Sequence, residues 1–146
     1  MKILILGGNG MLGHKLVQVL SQNFDVWTTI RKDFTEVERF GLFDKARTVD
    51  KLDAENISEL RTAIETVRPD VVINAVGVIK QLPSSKDVIT TLSINSILPH
   101  RLHQLSGEFG YRLFCISTDC VFSGESGNYA ESDRADAFEV RVPDGT

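Results

Sequence analysis

Residues 2–13 read Lys2-Ile3-Leu4-Ile5-Leu6-Gly7-Gly8-Asn9-Gly10-Met11-Leu12-Gly13. The apolar run Lys2–Leu6 is short and stops at glycines, the pattern of a strand buried on both faces. From residue 11 to about 21, Leu12, Leu16, Val17 and Leu20 recur at helical spacing. A strand that enters a helix through a G-x-x-G-x-x-G turn opens a β-α-β unit. Gly7 allows the tight turn, Gly10 lets a diphosphate approach the backbone with no Cβ in the way, and Gly13 lets the helix pack closely on the strand. Asn9, Met11 and Leu12 complete the turn and the start of the helix. There the unpaired N–H groups and a partial positive charge suit an anion. The alternative is a glycine-rich turn that binds nothing.

The pattern repeats outward from this point. Residues 25–30 are β-branched and aromatic, and read as a second strand. Residues 33–45 are mixed, with Phe34, Val37, Phe40 and Leu42 spaced for a short helix. A short strand is expected at 48–52. An amphipathic helix follows at 56–67, with Ile57, Leu60, Ile64 and Val67 on one face, stopped at Arg68-Pro69-Asp70. Residues 71–76 read as a strand, 77–86 as a loop, 87–109 as a helix bent at Pro99, and 111–117 as a fifth strand. Apolar strands alternating with amphipathic helices predict an α/β fold with a doubly wound parallel sheet of the Rossmann type. It is expected to span residues 1–122. Residues 123–146 lose periodicity and read as an acidic loop or tail.

With 146 residues the chain is long enough for one ordinary domain and its core. Its 42% hydrophobic and 25% charged residues are those of a globular protein. Residues 1–118 hold 14 basic and 13 acidic groups, whereas residues 119–146 hold 2 basic and 7 acidic. The net charge of −4 argues against nucleic acid as a partner. No apolar stretch approaches the ~18 residues that span a bilayer, and the N-terminus lacks a signal-peptide pattern, so no membrane role and a cytoplasmic location are expected. Cys115 and Cys120 are expected to be reduced and mostly buried. His100 and His103 share a helical face but lack further ligands at metal-binding spacing, so no metal is expected.

The glycine turn resembles the fingerprint of the short-chain dehydrogenase/reductase superfamily, in its extended, sugar-nucleotide branch. Asn74-Ala75-Val76-Gly77 resembles the cofactor-lining loop of that superfamily. Ile116-Ser117-Thr118-Asp119-Cys120-Val121-Phe122-Ser123-Gly124 is similar to the Ser-Thr-Asp-Tyr-Val-Phe-x-Gly signature of dTDP-4-dehydrorhamnose reductases, with Cys120 at the tyrosine position. Pro69-Asp70-Val71-Val72-Ile73-Asn74, Ile94-Asn95, Leu98-Pro99 and Gly127-Asn128-Tyr129-Ala130-Glu131-Ser132-Asp133 follow the same pattern. The resemblance runs from residue 1 to about 137. It implies an NAD(P)-dependent reductase of a nucleotide-activated keto-sugar. Ser117 would line the cofactor, and Thr118 would bond the substrate carbonyl as the catalytic residue this stretch supplies.

The end of the second strand bears on which cofactor. A carboxylate there would bond the ribose diol of NAD(H), but the chain has Arg31-Lys32, which suits the 2′-phosphate of NADP(H). The alternative is a solvated basic turn. Asp53 matches a family position beside the adenine, and also reads as an N-cap for the helix that starts near Asn56.

The superfamily's proton donor is a tyrosine in Tyr-x-x-x-Lys. Tyr111 is followed four residues on by Cys115, and Tyr129 by Asp133, so neither makes the motif. The expectation is the cofactor-binding half of a reductase, inactive alone. A non-catalytic dinucleotide-binding module is the second reading. A homodimer, or completion by another chain, is the third, because missing elements would leave open edges.

Overall fold

The computed structural model describes residues 1–79, 87–116 and 122–134. The chain divides into two compact units, Met1–Ile116 and Ser117–Thr146. The first unit contains β1 (Lys2–Leu6), α1 (Met11–Leu20), β2 (Asp25–Thr29), α2 (Thr35–Glu38), β3 (Thr48–Val49), α3 (Ile57–Val67), β4 (Val71–Asn74), α4 (Val88–Leu92), α5 (Leu98–Phe109) and β5 (Arg112–Cys115). All strand pairs are parallel, in the order β3-β2-β1-β4-β5. This is the predicted doubly wound Rossmann-type sheet.

β1 lies at the centre because its side chains are apolar on both faces. Ile3 and Ile5 pack with Val17 of α1, Val26 and Val71. Leu4 and Leu6 pack with Leu60, Ile64 and Val67 of α3 and with Leu98, Leu102 and Leu105 of α5. The two sets alternate residue by residue, as the pleat requires. Arg61 of α3 forms a forked ion pair with Glu108 of α5 at 2.6 and 3.0 Å, tying the two helices on one face. Their mutual attraction holds the Glu108 carboxyl below its usual range. Among the described residues, no helix is long and apolar enough to cross a membrane, and no group of side chains could hold a metal ion.

Several boundaries differ from the sequence reading. β3 stops at Val49 because Lys51 takes a left-handed backbone, φ 55°, which turns the chain out of the sheet. The 33–45 segment is helical only over Thr35–Glu38. Gly41, at φ 61°, breaks the periodicity, and Phe40 is exposed. The helix cap near 56 is Asn56, whose Oδ1 accepts the N–H groups of Ser58 and Glu59. Asp53 is too far upstream for that role and instead accepts the Glu55 N–H at 3.1 Å.

The long helix is interrupted by a π-helical turn, Ser93–Ile97, and Pro99 lies at the start of α5. Proline has no N–H to give the Asn95 carbonyl, so the turn ahead of it widens and Leu98 N–H reaches back to Ser93. Cys115 is exposed, contrary to the expectation of buried thiols, because β5 is an edge strand open on one side. Cys120 lies outside the described residues.

Candidate functional site

In a parallel sheet the C-terminal strand ends lie together, and the loops beside the centre diverge where the strand order reverses. Here the reversal falls between β1 and β4. Three loops meet around this point.

The first is the glycine turn. Gly7 has φ 79°, and its carbonyl accepts the Gly10 N–H at 3.0 Å. Gly7 N–H donates to Thr29 Oγ1 at 3.2 Å and Gly8 N–H to the Thr29 carbonyl at 2.9 Å. The first bond of α1 runs from His14 N–H to the Gly10 carbonyl. The N–H groups of Asn9, Met11 and Leu12 have no acceptor among the described residues. Among the described residues no side chain caps α1, and Met11 is 93% exposed at its mouth.

The glycines differ in what they spare. A Cβ on Gly8 would meet Thr28 Oγ1, and one on Gly13 would meet the Gly7 carbonyl. At Gly10 the only atom of the described residues near a Cβ would be the Gly7 oxygen, at 3.3 Å, and the backbone is extended. Gly8 and Gly13 are therefore demanded by packing. Gly10 instead leaves space beside the head of α1, where the amides of Asn9, Met11 and Leu12 are unpaired among the described residues.

The second loop follows β4. Asn74 is buried, and its Oδ1 accepts the Val76 N–H at 3.1 Å. Ala75 N–H bonds the Leu6 carbonyl, and the Val76 side chain lies against Gly7. Gly77 is exposed. The Asn95 side chain grips the next residue at both ends: Val78 N–H donates to Oδ1, and Nδ2 donates to the Val78 carbonyl, each at 2.8 Å. Asn74 and Asn95 thus hold the loop that presents Ala75, Val76 and Gly77.

The third loop set lies at the β2 end. Arg31 is exposed, with no hydrogen-bond or ion-pair partner among the described residues. Lys32 pairs with Glu36 at 2.8 Å, one helical turn on. Lys51 pairs with Asp33 at 2.7 Å and, with the Thr35 N–H and hydroxyl, holds the Asp33 carboxyl well below the carboxylate range. Leu52 N–H bonds the Ile30 carbonyl, which places the half-buried Asp53 beside this end of β2.

The structure thus gathers Gly7, Asn9, Gly10, Met11, Leu12, Arg31, Asp53, Ala75, Val76 and Gly77 at one end of the sheet. It commits Lys32 to Glu36 and Asn74 to the loop backbone. Ser117 and Thr118 lie outside the described residues. Thr29 and Asn95 are absent from the candidate residues read from the sequence. A polar side chain ending an apolar strand, and an asparagine four residues before a helical proline, are the signals that could have found them.

In the second unit, Tyr129 organises residues 122–134. Its hydroxyl accepts the N–H groups of Gly124 at 3.0 Å and Ser126 at 3.2 Å, and its ring stacks on Phe122 at 4.5 Å.

Comparison with protein families matches residues 1–141 to the RmlD substrate binding domain. The chain belongs to this family. One RmlD-family relative, the dTDP-4-dehydrorhamnose reductase of Aggregatibacter actinomycetemcomitans, is 27% identical over 133 residues, which are 90% of this chain and 40% of the relative. Among solved structures, a hypothetical dTDP-4-dehydrorhamnose reductase from Sulfolobus tokodaii aligns with a TM-score of 0.75 at 28% identity. That alignment covers 93% of this chain and 46% of the other. The dTDP-4-dehydrorhamnose reductase of Bacillus anthracis, solved in complex with NADP, aligns with a TM-score of 0.64 at 28% identity. It covers 85% of this chain and 38% of that one. The chain therefore spans less than half the length of these relatives.

Proposed function

We propose that this chain is the NADP(H)-binding portion of a reductase acting on a nucleotide-activated keto-sugar in the cytoplasm. The observation that carries the reading is that the amides of Asn9, Met11 and Leu12, on either side of the open position Gly10, have no acceptor among the described residues. These amides and the α1 dipole would hold the diphosphate. Met11 and Leu12 would form an apolar wall beside it, and Ala75, Val76 and Gly77 would line the cofactor along the β4 loop. Arg31 would meet the 2′-phosphate with a charge-assisted bond, Lys32 adding charge from its place against Glu36, and Asp53 would lie at the adenine end. NADP in the Bacillus anthracis relative supports this choice; NAD(H) would be the weaker ligand. The bound dinucleotide supplies a hydride. By family resemblance, Ser117 would line the cofactor and Thr118 would polarise the sugar carbonyl.

A second reading, a dinucleotide-binding module without catalysis, is favoured by one observation. The Tyr129 hydroxyl is spent on two loop amides, and no lysine stands four residues on. In either case the exposed Phe114 on β5 and Ile116 just after it favour a homodimer or completion by another chain.

Calorimetric titration with NADPH and NADH tests the cofactor reading. Wild type is expected to prefer NADPH. Arg31→Ala is expected to lose ~1.5–3 kcal/mol toward NADPH only. Equal affinity of the wild type for both would sink it.

A further inference from the structure

We propose that Thr29 is a positioning residue for the dinucleotide's diphosphate, acting through the Gly7 peptide. The proposal rests on the dinucleotide-binding reading above. Thr29 ends β2 and is only 3% exposed, so its side chain does not face a ligand in solution. It takes two successive amides of the glycine turn, Gly7 N–H on its hydroxyl and Gly8 N–H on its carbonyl. The next tied amide, Gly10, bonds the Gly7 carbonyl. The hydroxyl thus holds the peptide that enters Gly7 and the carbonyl the peptide that leaves it, so Thr29 fixes the φ of 79° between them, and the leaving peptide carries the Gly7 oxygen that anchors Gly10 at the head of α1. With these amides tied back, those of Asn9, Met11 and Leu12, with Gly13 behind them, have no acceptor among the described residues.

Of the two bonds from Thr29, the carbonyl bond survives any substitution and the hydroxyl bond does not. A valine keeps the shape and the strand backbone but leaves the Gly7 N–H without an acceptor. An unpaired, partly buried amide is costly, so the peptide entering Gly7 turns to seek another partner, and the φ of Gly7, no longer held from both sides, lets the Gly7 oxygen and its Gly10 anchor shift. The effect should follow the diphosphate. The Arg31 contact belongs to the 2′-phosphate and should be indifferent to Thr29.

The experiment compares wild type, Thr29→Val and Thr29→Ser. NADPH, NADH and ADP are titrated by calorimetry, and adenosine 2′-monophosphate, which lacks the diphosphate, by NMR. Thr29→Val is expected to weaken all three diphosphate ligands by a common factor of about tenfold. It should leave adenosine 2′-monophosphate unchanged, and Thr29→Ser should restore wild-type affinity. Thr29→Val binding the diphosphates like wild type overturns the proposal. So does a loss that extends to adenosine 2′-monophosphate, or a serine that fails to rescue. Hydrogen exchange on the wild type gives a readout independent of variant folding: the Gly7 amide should be protected without ligand, and rapid exchange there overturns the role. A wild type that binds no diphosphate ligand overturns the dinucleotide reading itself, and this proposal with it.

Discussion

Gly8 and Gly10 stand two positions apart and lack side chains for opposite reasons. Gly8 is filled from within the fold, since the Thr28 hydroxyl below it bonds the Ile5 carbonyl. Gly8→Ala is expected to overpack this contact and cost ~1–3 kcal/mol, read as a lower midpoint in urea unfolding. Gly10→Val is expected to leave the circular dichroism unchanged and abolish cofactor binding, because the side chain occupies the diphosphate's approach. Retained binding would mean that the glycine run is only a turn. The spacing of Gly7, Gly10 and Gly13 was legible because it is local. The constraint on Gly8 was not, because it comes from a neighbouring strand. Arg31 and Lys32 look alike in sequence, but Glu36, one turn further on, distinguishes them. Asp33 offers a pH test. Its folded-state pKa lies below the usual 3.8, so the contribution of its pair with Lys51 is complete above that value and is lost as pH falls through the folded-state pKa. Lys51→Met should move the NMR titration midpoint of Asp33 back up. An unmoved midpoint would mean the ion pair is not formed.

At the scale of elements, α4, the π-helical turn and α5 act together. The spacing of apolar residues predicts one helix bent at Pro99. The distortion instead precedes the proline, and Asn95 sits within it with its side chain on Val78. Periodicity finds the helix but cannot show which residue a widened turn aims outward. Asn95→Leu is expected to release the loop after β4. It should lower cofactor affinity by ~1–3 kcal/mol and speed hydrogen exchange at Val78, while the α5 amides stay protected. Unchanged exchange at Val78 would remove the clamp from the account. The α3 start shows a similar limit. Asp53, Glu55, Asn56 and Glu59 form one polar cluster, and composition alone cannot say that Asn56 is the cap. The 33–45 segment was least legible, since Phe34 and Val37 are buried while Phe40 is exposed.

For the molecule as a whole, alternation of strands and helices was enough to give the parallel sheet, because apolar strands need cover on both faces. What the sheet presents at its open edge was not, and Phe114, Cys115 and Ile116 are exposed there. These 146 residues alone are expected not to oxidise NADPH with dTDP-4-dehydrorhamnose at a useful rate. Lack of a general acid alone forfeits ~10²–10⁴-fold. Tyr129→Phe should loosen residues 122–134 and change no turnover, since its hydroxyl serves Gly124 and Ser126. Robust turnover by the wild type that Tyr129→Phe abolishes would make Tyr129 the acid. The position of β1 has a further consequence, for how the chain reaches this state. The earliest of the five strands in chain order is the central one, and its pairs are Lys2 with Asp25 on one side and Ile3 with Val71 on the other. Until residue 74 has emerged, one edge of β1 has no mate, and its four buried apolar side chains lack half their cover. Such distant pairings make for slow folding and a long-lived sticky intermediate. Nascent chains should therefore lean on chaperones from the synthesis of β1 until β4 has emerged.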